Sequence, residues 1–212
     1  MRPTFLFASA AFLVLSGCIE EPTRVVPVGG ADEAHSADRG AMNHGGMDGG
    51  EGMQSATAEV ASLGGSSVAG TVTFTQLADG QLQVAYDLGG LEPGPHGFHV
   101  HENGSCATGD DGTPGGAAGG HFNPDGHPHG GPEAASASRH AGDFGNIMAT
   151  ESGMASGTFT DAVARLTGPQ GIAGKALMVH GGRDDLQSQP SGAAGPRVGC
   201  GVIGEPHAGA GH

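Results

Sequence analysis

Six histidines in the segment from Gly97 to Asp143 are the residues of this sequence best suited to bind a metal. They are half of the chain's 12 histidines, namely His99, His101, His121, His127, His129 and His140. In FHVH, His99 and His101 are two positions apart, and such residues lie on the same face of a strand. Phe98 and Val100 then point into a core. Two imidazoles on one strand face are half of a metal site, and the Gly-rich turns that follow let distant histidines fold back onto it.

The segment KALMVH repeats this pattern near the end of the chain. Leu177 and Val179 are expected to face the core, so that His180 lies at the strand end on the opposite face. A single histidine at a strand end is more often structural than a metal ligand. Three such histidines, with His121 nearby, favour a shared metal site.

The composition predicts an all-β fold around these histidines. The chain has 212 residues and 36% hydrophobic content, which suits one domain. Its 43 glycines argue against long helices, because Gly costs about 1 kcal/mol in a helix interior relative to Ala. About eight short segments separated by turns have strand character, and they predict an eight-stranded antiparallel Greek-key barrel or sandwich with long metal-binding loops.

Two early segments show the strand pattern most clearly. In SVAGTVTFTQ, Val72 and Phe74 lie on one face and the threonines on the other. LQVAYDL alternates in the same way after Asp79 and Gly80, a dipeptide that is typical of a hairpin turn. We therefore expect a hairpin that packs one apolar face against the core.

Residues 1–17 are predicted to be a bacterial lipoprotein signal. Arg2 precedes the apolar run FLFASAAFLVL, which is too short to span a membrane and ends in LSGC. We expect cleavage after residue 17 and lipidation of Cys18; an ordinary signal peptide with an incidental Cys is the alternative. The mature chain would carry 7 basic and 22 acidic residues, a net charge of −15. This charge argues against nucleic acid or anionic lipid as a partner.

Residues 18–55 have no hydrophobic period and are predicted to be a flexible, lipid-anchored tether. Residues 56–205 would form the domain, and residues 206–212 a His-containing tail. The tether carries imidazole and thioether groups that copper accepts, on His35, Met42, His44, Met47 and Met53. We favour a plain spacer over an arm that loads copper.

Cys106 and Cys200 are the two cysteines that remain once Cys18 is lipidated. Because an exported protein folds in an oxidising compartment, a disulfide between them is the default expectation. It would close most of the domain into one loop and stabilise the fold by roughly 4–5 kcal/mol. Two free thiols, or two metal ligands, are the alternative.

Six motifs together resemble those of the copper/zinc superoxide dismutase family. They occur in the family's order between Ala58 and Gly204, and they are GFHVHE, GGHFNP, HGGP, RHAGDFGN, LMVH and PRVGCGVIG. Three features are similar to the bacterial branch of the family. These are the short step from His101 to Cys106, the abbreviated segment before Arg197, and the lipoprotein signal.

The resemblance implies a role for each candidate site residue. The copper ligands would be His99, His101, His121 and His180. The zinc ligands would be His121, His129, His140 and Asp143, so that His121 bridges the two metals. Asp184 would hydrogen-bond a ligand of each metal, and Cys106 and Cys200 would form the intradomain disulfide.

His140 is assigned from RHAGD because the segment before it is slightly long for the family. His127 is an extra imidazole that we expect to be solvent-exposed, although it could compete for zinc.

The implied activity is the conversion of superoxide to hydrogen peroxide and dioxygen. Four imidazoles suit Cu(II), and three histidines with one aspartate suit a closed tetrahedral zinc site. In the family mechanism copper cycles between two oxidation states, zinc is structural, and His121 takes up a proton when its bridge opens. Arg197 would supply the fixed positive charge for the anion on an acidic protein. The loop before it carries only Arg183, which leaves the source of long-range steering open.

We therefore predict an exported, lipid-anchored enzyme that protects a bacterial cell envelope, in the periplasm or at the cell surface. Its predicted partners are superoxide and the membrane, while a homodimer and the leaflet that holds the anchor stay open. The main rival is a copper-binding or copper-buffering lipoprotein of the same fold. Zinc scavenging through His207 and His212 is a third alternative. The presence of all seven ligands and Arg197 favours the enzyme.

Overall fold

The computed structural model describes residues 53–208. Within this range the chain forms nine β-strands, two short 3-10 helices and no α-helix. The strands are β1 Gln54–Ser62, β2 Ala69–Gln76, β3 Leu82–Gly89, β4 Gly94–His101, β5 Asp143–Ala149, β6 Ala155–Asp161, β7 Ala176–His180, β8 Arg197–Val202 and β9 His207–Ala208. The 3-10 helices are Gly116–Ala118 and Ser136–Ser138.

Eight of these strands form a nearly closed antiparallel barrel, in the order β5-β4-β7-β8-β1-β2-β3-β6. Strand β1 joins the two halves, because its residues 55–60 pair with β2 and its residues 61 and 62 pair with β8. A tight turn joins β5 to β6, in which the N–H of Thr150 donates to the carbonyl of Met154 at 2.8 Å. This turn brings the two ends of the strand order together. The predicted eight-stranded fold is confirmed.

The ninth strand was not predicted. Strand β9 pairs with the start of β1, with Gln54 opposite Ala208 and Ser55 opposite His207. Regular structure therefore extends from residue 54 to residue 208, beyond the edges at 56 and 205 that the sequence suggested.

The main core follows the period-2 pattern of the strands. Val72 and Phe74 of β2 and Val84 of β3 are fully buried, and so are Phe98 and Val100 of β4. The threonines of β2 on the opposite face are half-buried. Because successive side chains of a strand alternate between its two faces, the burial of Phe98 and Val100 directs His99 and His101 away from this core.

A second, smaller apolar cluster lies on the other face of β7. It consists of Ala118, Ala176, Met178 and Cys200, with Leu63 and Cys106 packed against it. Here Cys106 and Cys200 form the predicted disulfide, with a Cα–Cα distance of 5.7 Å. This bond fastens the long loop between β4 and β5, residues 102–142, to strand β8.

The predicted signal, the predicted lipidation site Cys18, most of the tether and His212 lie outside the described residues. Within residues 53–208, no helix combines the length and the apolar character that crossing a membrane requires.

Candidate metal centre

Strands β4 and β7 place three histidines side by side. The two strands are antiparallel neighbours, with His99 opposite Met178. A bulge precedes His180 at the end of β7. His121, from the 102–142 loop, joins the strands through an isolated bridge to His101. The ring centroid of His99 consequently lies 4.1 Å from that of His121 and 5.0 Å from that of His180.

Four ring nitrogens of this group have no hydrogen-bond partner among the described protein groups. They are Nδ1 of His99 and Nε2 of His101, His121 and His180, and all four are buried. One ligand nitrogen of each residue lies within 4.8 Å of the others. Buried polar atoms normally have partners, and four convergent imidazole nitrogens are a donor set that Cu(II) prefers. These residues, the four-histidine set, therefore fit a copper ion.

The opposite ring nitrogens are held by acceptors. Nδ1 of His101 lies 2.9 Å from the carbonyl oxygen of Gly119, and Nδ1 of His180 lies 3.1 Å from that of Gly195. Nε2 of His99 lies 2.7 Å from a carboxylate oxygen. A carbonyl or carboxylate oxygen can only accept, so each of these nitrogens carries the hydrogen. The convergent nitrogen of each ring then keeps its lone pair for a metal.

A second group gathers around Asp143 and consists of His121, His129, His140 and Asp143 itself, all buried. We call it the mixed set. The Nδ1 atoms of His121, His129 and His140 lie 2.8, 3.0 and 3.2 Å from Oδ1 of Asp143. In a tetrahedral site with bonds of about 2.0 Å, neighbouring ligand atoms are about 3.3 Å apart. The spacing and the donor types therefore fit a closed zinc site.

His121 belongs to both sets. Its Nδ1 faces Asp143, whereas its Nε2 has no hydrogen-bond partner and lies in the four-histidine set. One imidazole thus offers one nitrogen to each group. This shared ring is what makes the two sets one centre.

Asp184 connects the two sets from outside. Its Oδ2 lies 2.7 Å from Nε2 of His99, and its Oδ1 lies 3.1 Å from Nε2 of His129. The carboxylate is fully buried. A carboxylate that accepts from the far nitrogen of a ligand histidine fixes the orientation of that ring, so Asp184 orients one member of each set.

Burial keeps most of these imidazoles neutral. It lowers the pKa of His180 to about 3 and that of His121 to about 4, and it holds the pKa of His101 well below its ordinary value. Neutral imidazoles are the form that binds metals. His129 differs: burial alone would lower its pKa, but the carboxylates of Asp143 and Asp184 raise it to about 9.

A cavity of about 430 Å³ opens beside the four-histidine set. Its lining includes His101, His121, His180, Ser191 and Arg197. The half-buried guanidinium of Arg197 donates to the carbonyl oxygen of Gly115, and its Nη2 donates to that of Gly119 at 2.6 Å. Gly119 also accepts from His101. One backbone carbonyl therefore fixes both a candidate ligand and the positive charge next to it.

The family model for copper/zinc superoxide dismutase (SODC) matches residues 68–203, which contain both sets and the cavity. The chain belongs to the copper/zinc superoxide dismutase family. A relative from Brassica juncea, superoxide dismutase [Cu-Zn] 2, is 46% identical over 143 residues, which cover 65% of this chain and 90% of that relative. The crystal structure of the clock protein EA4 is also similar, with a TM-score of 0.62 and 36% identity over 77% of this chain and 99% of that one.

Membership of the copper/zinc superoxide dismutase family confirms several predictions from the sequence. They are the enzyme class, an oxidoreductase, the dismutase activity and the two cofactors, copper and zinc. The structure brings the predicted ligands together in two sets, which are His99, His101, His121 and His180 in one and His121, His129, His140 and Asp143 in the other.

Three primary amides near the centre were not anticipated. Each holds both the N–H and the carbonyl oxygen of one residue: Asn123 holds His127, Asn146 holds Asp184, and Gln189 holds His129. Asn123 lies in the HFNP motif and Asn146 follows directly on RHAGDFG, so the motifs contain them without indicating this contact. Gln189 lies in no motif that we identified.

A buried ion pair under the mixed set was also missed. Nη2 of Arg139 donates to Oδ2 of Asp161 at 2.6 Å, and its Nη1 donates to the carbonyl oxygen of Asp143 at 3.1 Å. Both residues of the pair are 2% exposed. The presence of Arg139 directly before His140 in RHAGD was the available signal, because a charged residue between buried ligands needs a partner.

Two other histidines are placed as follows. His127, which we expected to be solvent-exposed, is partly buried, and its backbone is held by Asn123. His96 is buried, and its two ring nitrogens lie 2.8 Å from the carbonyl oxygen of His180 and 2.7 Å from that of Glu92. The His96 ring thus connects the end of β7, at His180, with the chain just before β4, at Glu92.

Proposed function

We propose that this family member is an exported superoxide dismutase in which the four-histidine set holds copper and the mixed set holds zinc. The observation that carries the proposal is the shared imidazole of His121, which offers one buried nitrogen to each set beside the guanidinium of Arg197. In this assignment zinc has a structural and electrostatic role, and the redox chemistry belongs to copper.

The donor chemistry supports this division. The four-histidine set is all nitrogen and borders an open cavity, as a site that must admit a small anion requires. The mixed set contains a carboxylate, has four buried members and suits a metal without redox chemistry. Bound copper would supply one-electron transfer, taking an electron from one superoxide ion and giving it to the next.

Arg197 would bind and orient the substrate. A guanidinium stays charged at neutral pH and presents several donors in a plane. Its two backbone acceptors fix it at the cavity wall, so it does not have to reorganise when an anion arrives. On a chain with a formal net charge of −14, a fixed local positive charge is what makes the cavity attractive to superoxide.

His121 would carry the proton. The residue lines the cavity, its buried Nε2 has no hydrogen-bond partner among the described groups, and its Nδ1 lies 2.8 Å from Asp143. A ring fixed at one nitrogen can take and give a proton at the other without moving far. We assign Nε2 of His121 as the atom from which the product peroxide is protonated.

Dismutase activity is distinguished from copper storage by turnover. The purified mature protein, loaded with both metals, should consume superoxide catalytically and produce one peroxide for every two superoxide ions. A protein that binds copper but consumes at most one superoxide ion per copper would contradict the proposal and favour the copper-buffering rival. Light scattering on the same sample determines whether the enzyme is a homodimer, which the sequence leaves open.

We also propose that the enzyme is anchored in the cell envelope through Cys18 and protects that compartment. LSGC after a short apolar run supports this, as does the disulfide, which suits an oxidising compartment. Mass spectrometry of the mature N-terminus should find residues 1–17 removed and Cys18 acylated. In the variant Cys18→Ser the protein should leave the membrane fraction; an unmodified Cys18 in the native protein would refute the anchor.

A further inference from the structure

Gln189 connects two loops that the centre depends on. It belongs to the loop between β7 and β8, residues 181–196, and it reaches His129 in the 102–142 loop. Its Oε1 accepts from the N–H of His129 at 2.8 Å, and its Nε2 donates to the carbonyl oxygen of His129 at 2.9 Å. One side chain therefore holds both backbone groups of a member of the mixed set.

The same loop also holds the ring of this histidine. Oδ1 of Asp184 lies 3.1 Å from Nε2 of His129. Asp184 is fixed in turn by Asn146 of β5, which donates to its carbonyl oxygen at 2.9 Å and accepts from its N–H at 2.8 Å. His129 is thus attached to the 181–196 loop at its ring through Asp184 and at both backbone groups through Gln189.

We propose that Gln189 is a positioning residue that latches the 181–196 loop onto His129 and slows the release of zinc. The proposal rests on the proposed function, in which the mixed set holds zinc. His129 is 3% exposed, so its ring can leave the site only if its backbone moves or the loop lifts. Both movements break the two hydrogen bonds to Gln189, whose own side chain hydrogen-bonds no member of the four-histidine set.

Gln189→Met removes both hydrogen bonds to His129, together with a third that Nε2 donates to the carbonyl oxygen of Gln187 at 3.2 Å, and keeps the length of the side chain. Gln189→Glu keeps the acceptor for the N–H of His129 and removes the donor to its carbonyl oxygen. Gln187→Met is the matched control, because it makes the same exchange two residues away in the same loop, where the described hydrogen bonds of Gln187 use its backbone.

The experiment measures zinc transfer from the fully metallated mature protein to an excess of a chromogenic zinc chelator. Release from Gln189→Met should be about ten-fold faster than from the native protein, since both hydrogen bonds to His129 are lost. Gln189→Glu should fall in between, and Gln187→Met should match the native rate. The rate of copper release and the thermal midpoint of the metal-free protein should be the same in Gln189→Met and Gln187→Met.

Three outcomes would overturn the proposal. They are a native zinc-release rate in Gln189→Met, an equal acceleration of copper release, and a fall in the metal-free midpoint that accounts for the faster release. Gln189→Glu gives the same decision if the Met variant does not fold. A native protein that binds no zinc would contradict the proposed function and this inference together, whereas a zinc-loaded native protein with an unaffected Gln189→Met contradicts this inference alone.

Discussion

Nδ1 of His121 lies 2.8 Å from Oδ1 of Asp143, and this contact fixes the ring that both halves of the metal centre share. Asp143 is the first residue of β5, and its other oxygen accepts from the N–H groups of Gly130 and His140 at 3.1 and 2.8 Å. The position of His121 is therefore set by a strand of the barrel and by the loop that carries the rest of the mixed set. His121 in turn lines the cavity beside Arg197.

The first prediction concerns Arg197. Arg197→Ala should keep its copper but lose at least about ten-fold in kcat/KM for superoxide, because a fixed charge beside the reacting site is removed. The remaining rate should depend less on ionic strength than the native rate.

Stopped-flow superoxide consumption at several salt concentrations, with copper content measured in parallel, checks this prediction. Arg165→Ala is the matched control, since it removes the same charge at a residue that donates to the nearby carbonyl oxygens of Ala162 and Ala164. An Arg197→Ala protein with native kcat/KM would show that this residue does not guide the anion.

The second prediction concerns the stability of the metal-free protein. Burial lowers the pKa of His180 to about 3 and of His121 to about 4, from an ordinary value of 6.5. Below pH 6.5 the unfolded chain takes up protons that the folded protein does not, so the free energy of unfolding falls as the pH is lowered. The pKa of His129 is raised to about 9, so its contribution is lost as the pH rises from 6.5 through 9.

The metal-free protein should therefore be most stable near pH 6.5. Urea unfolding at pH 4.5, 6.5 and 9 tests this, and pH 4.5 lies above the ordinary aspartate pKa of 3.8, so that imidazoles dominate the acid side. In His180→Gln the loss between pH 6.5 and pH 4.5 should be smaller than in the native protein. Unfolding free energies that rise steadily from pH 4.5 to pH 9 would contradict the pKa shift of His129.

The third prediction concerns the buried pair of Arg139 and Asp161. Arg139→Met should destabilise the protein by about 3–5 kcal/mol, because it leaves a buried carboxylate without its partner. It also removes the donor to the carbonyl oxygen of Asp143, so zinc affinity should fall along with stability.

Urea unfolding and zinc titration of the variant measure both effects. Arg183→Met is the control, because Arg183 is exposed and the same substitution there should change stability by less than about 0.5 kcal/mol. Equal unfolding free energies for the two variants would mean that the pair contributes nothing to the fold.

The sequence predicted the barrel and the strand-borne histidines of β4 and β7 because their signals are local. Alternation in β2 and β4 identified the core face, and strand-end histidines such as His180 followed from the same rule. The division of the remaining histidines between two metals came from the family resemblance, since spacing in a Gly-rich loop does not determine where His129 or His140 will fold back.

What the sequence did not predict depends on contacts between distant residues. Gln189 and His129 are 60 positions apart, and Arg139 meets Asp161 across 22 positions. The sequence around a primary amide in a loop does not indicate its hydrogen-bond partner, because any peptide group offers a matching donor and acceptor. The short pairing of β9 with β1 was missed for a similar reason: two residues are too few to show a strand period.

The most direct test of the account is the zinc content of two alanine variants, compared after copper and zinc loading. His121→Ala removes a ligand from both sets, whereas His180→Ala removes one from the four-histidine set alone. Elemental analysis should find copper reduced in both variants and zinc reduced only in His121→Ala. Equal zinc retention in the two variants would contradict the shared imidazole, and with it the proposal that His121 links a copper site to a zinc site.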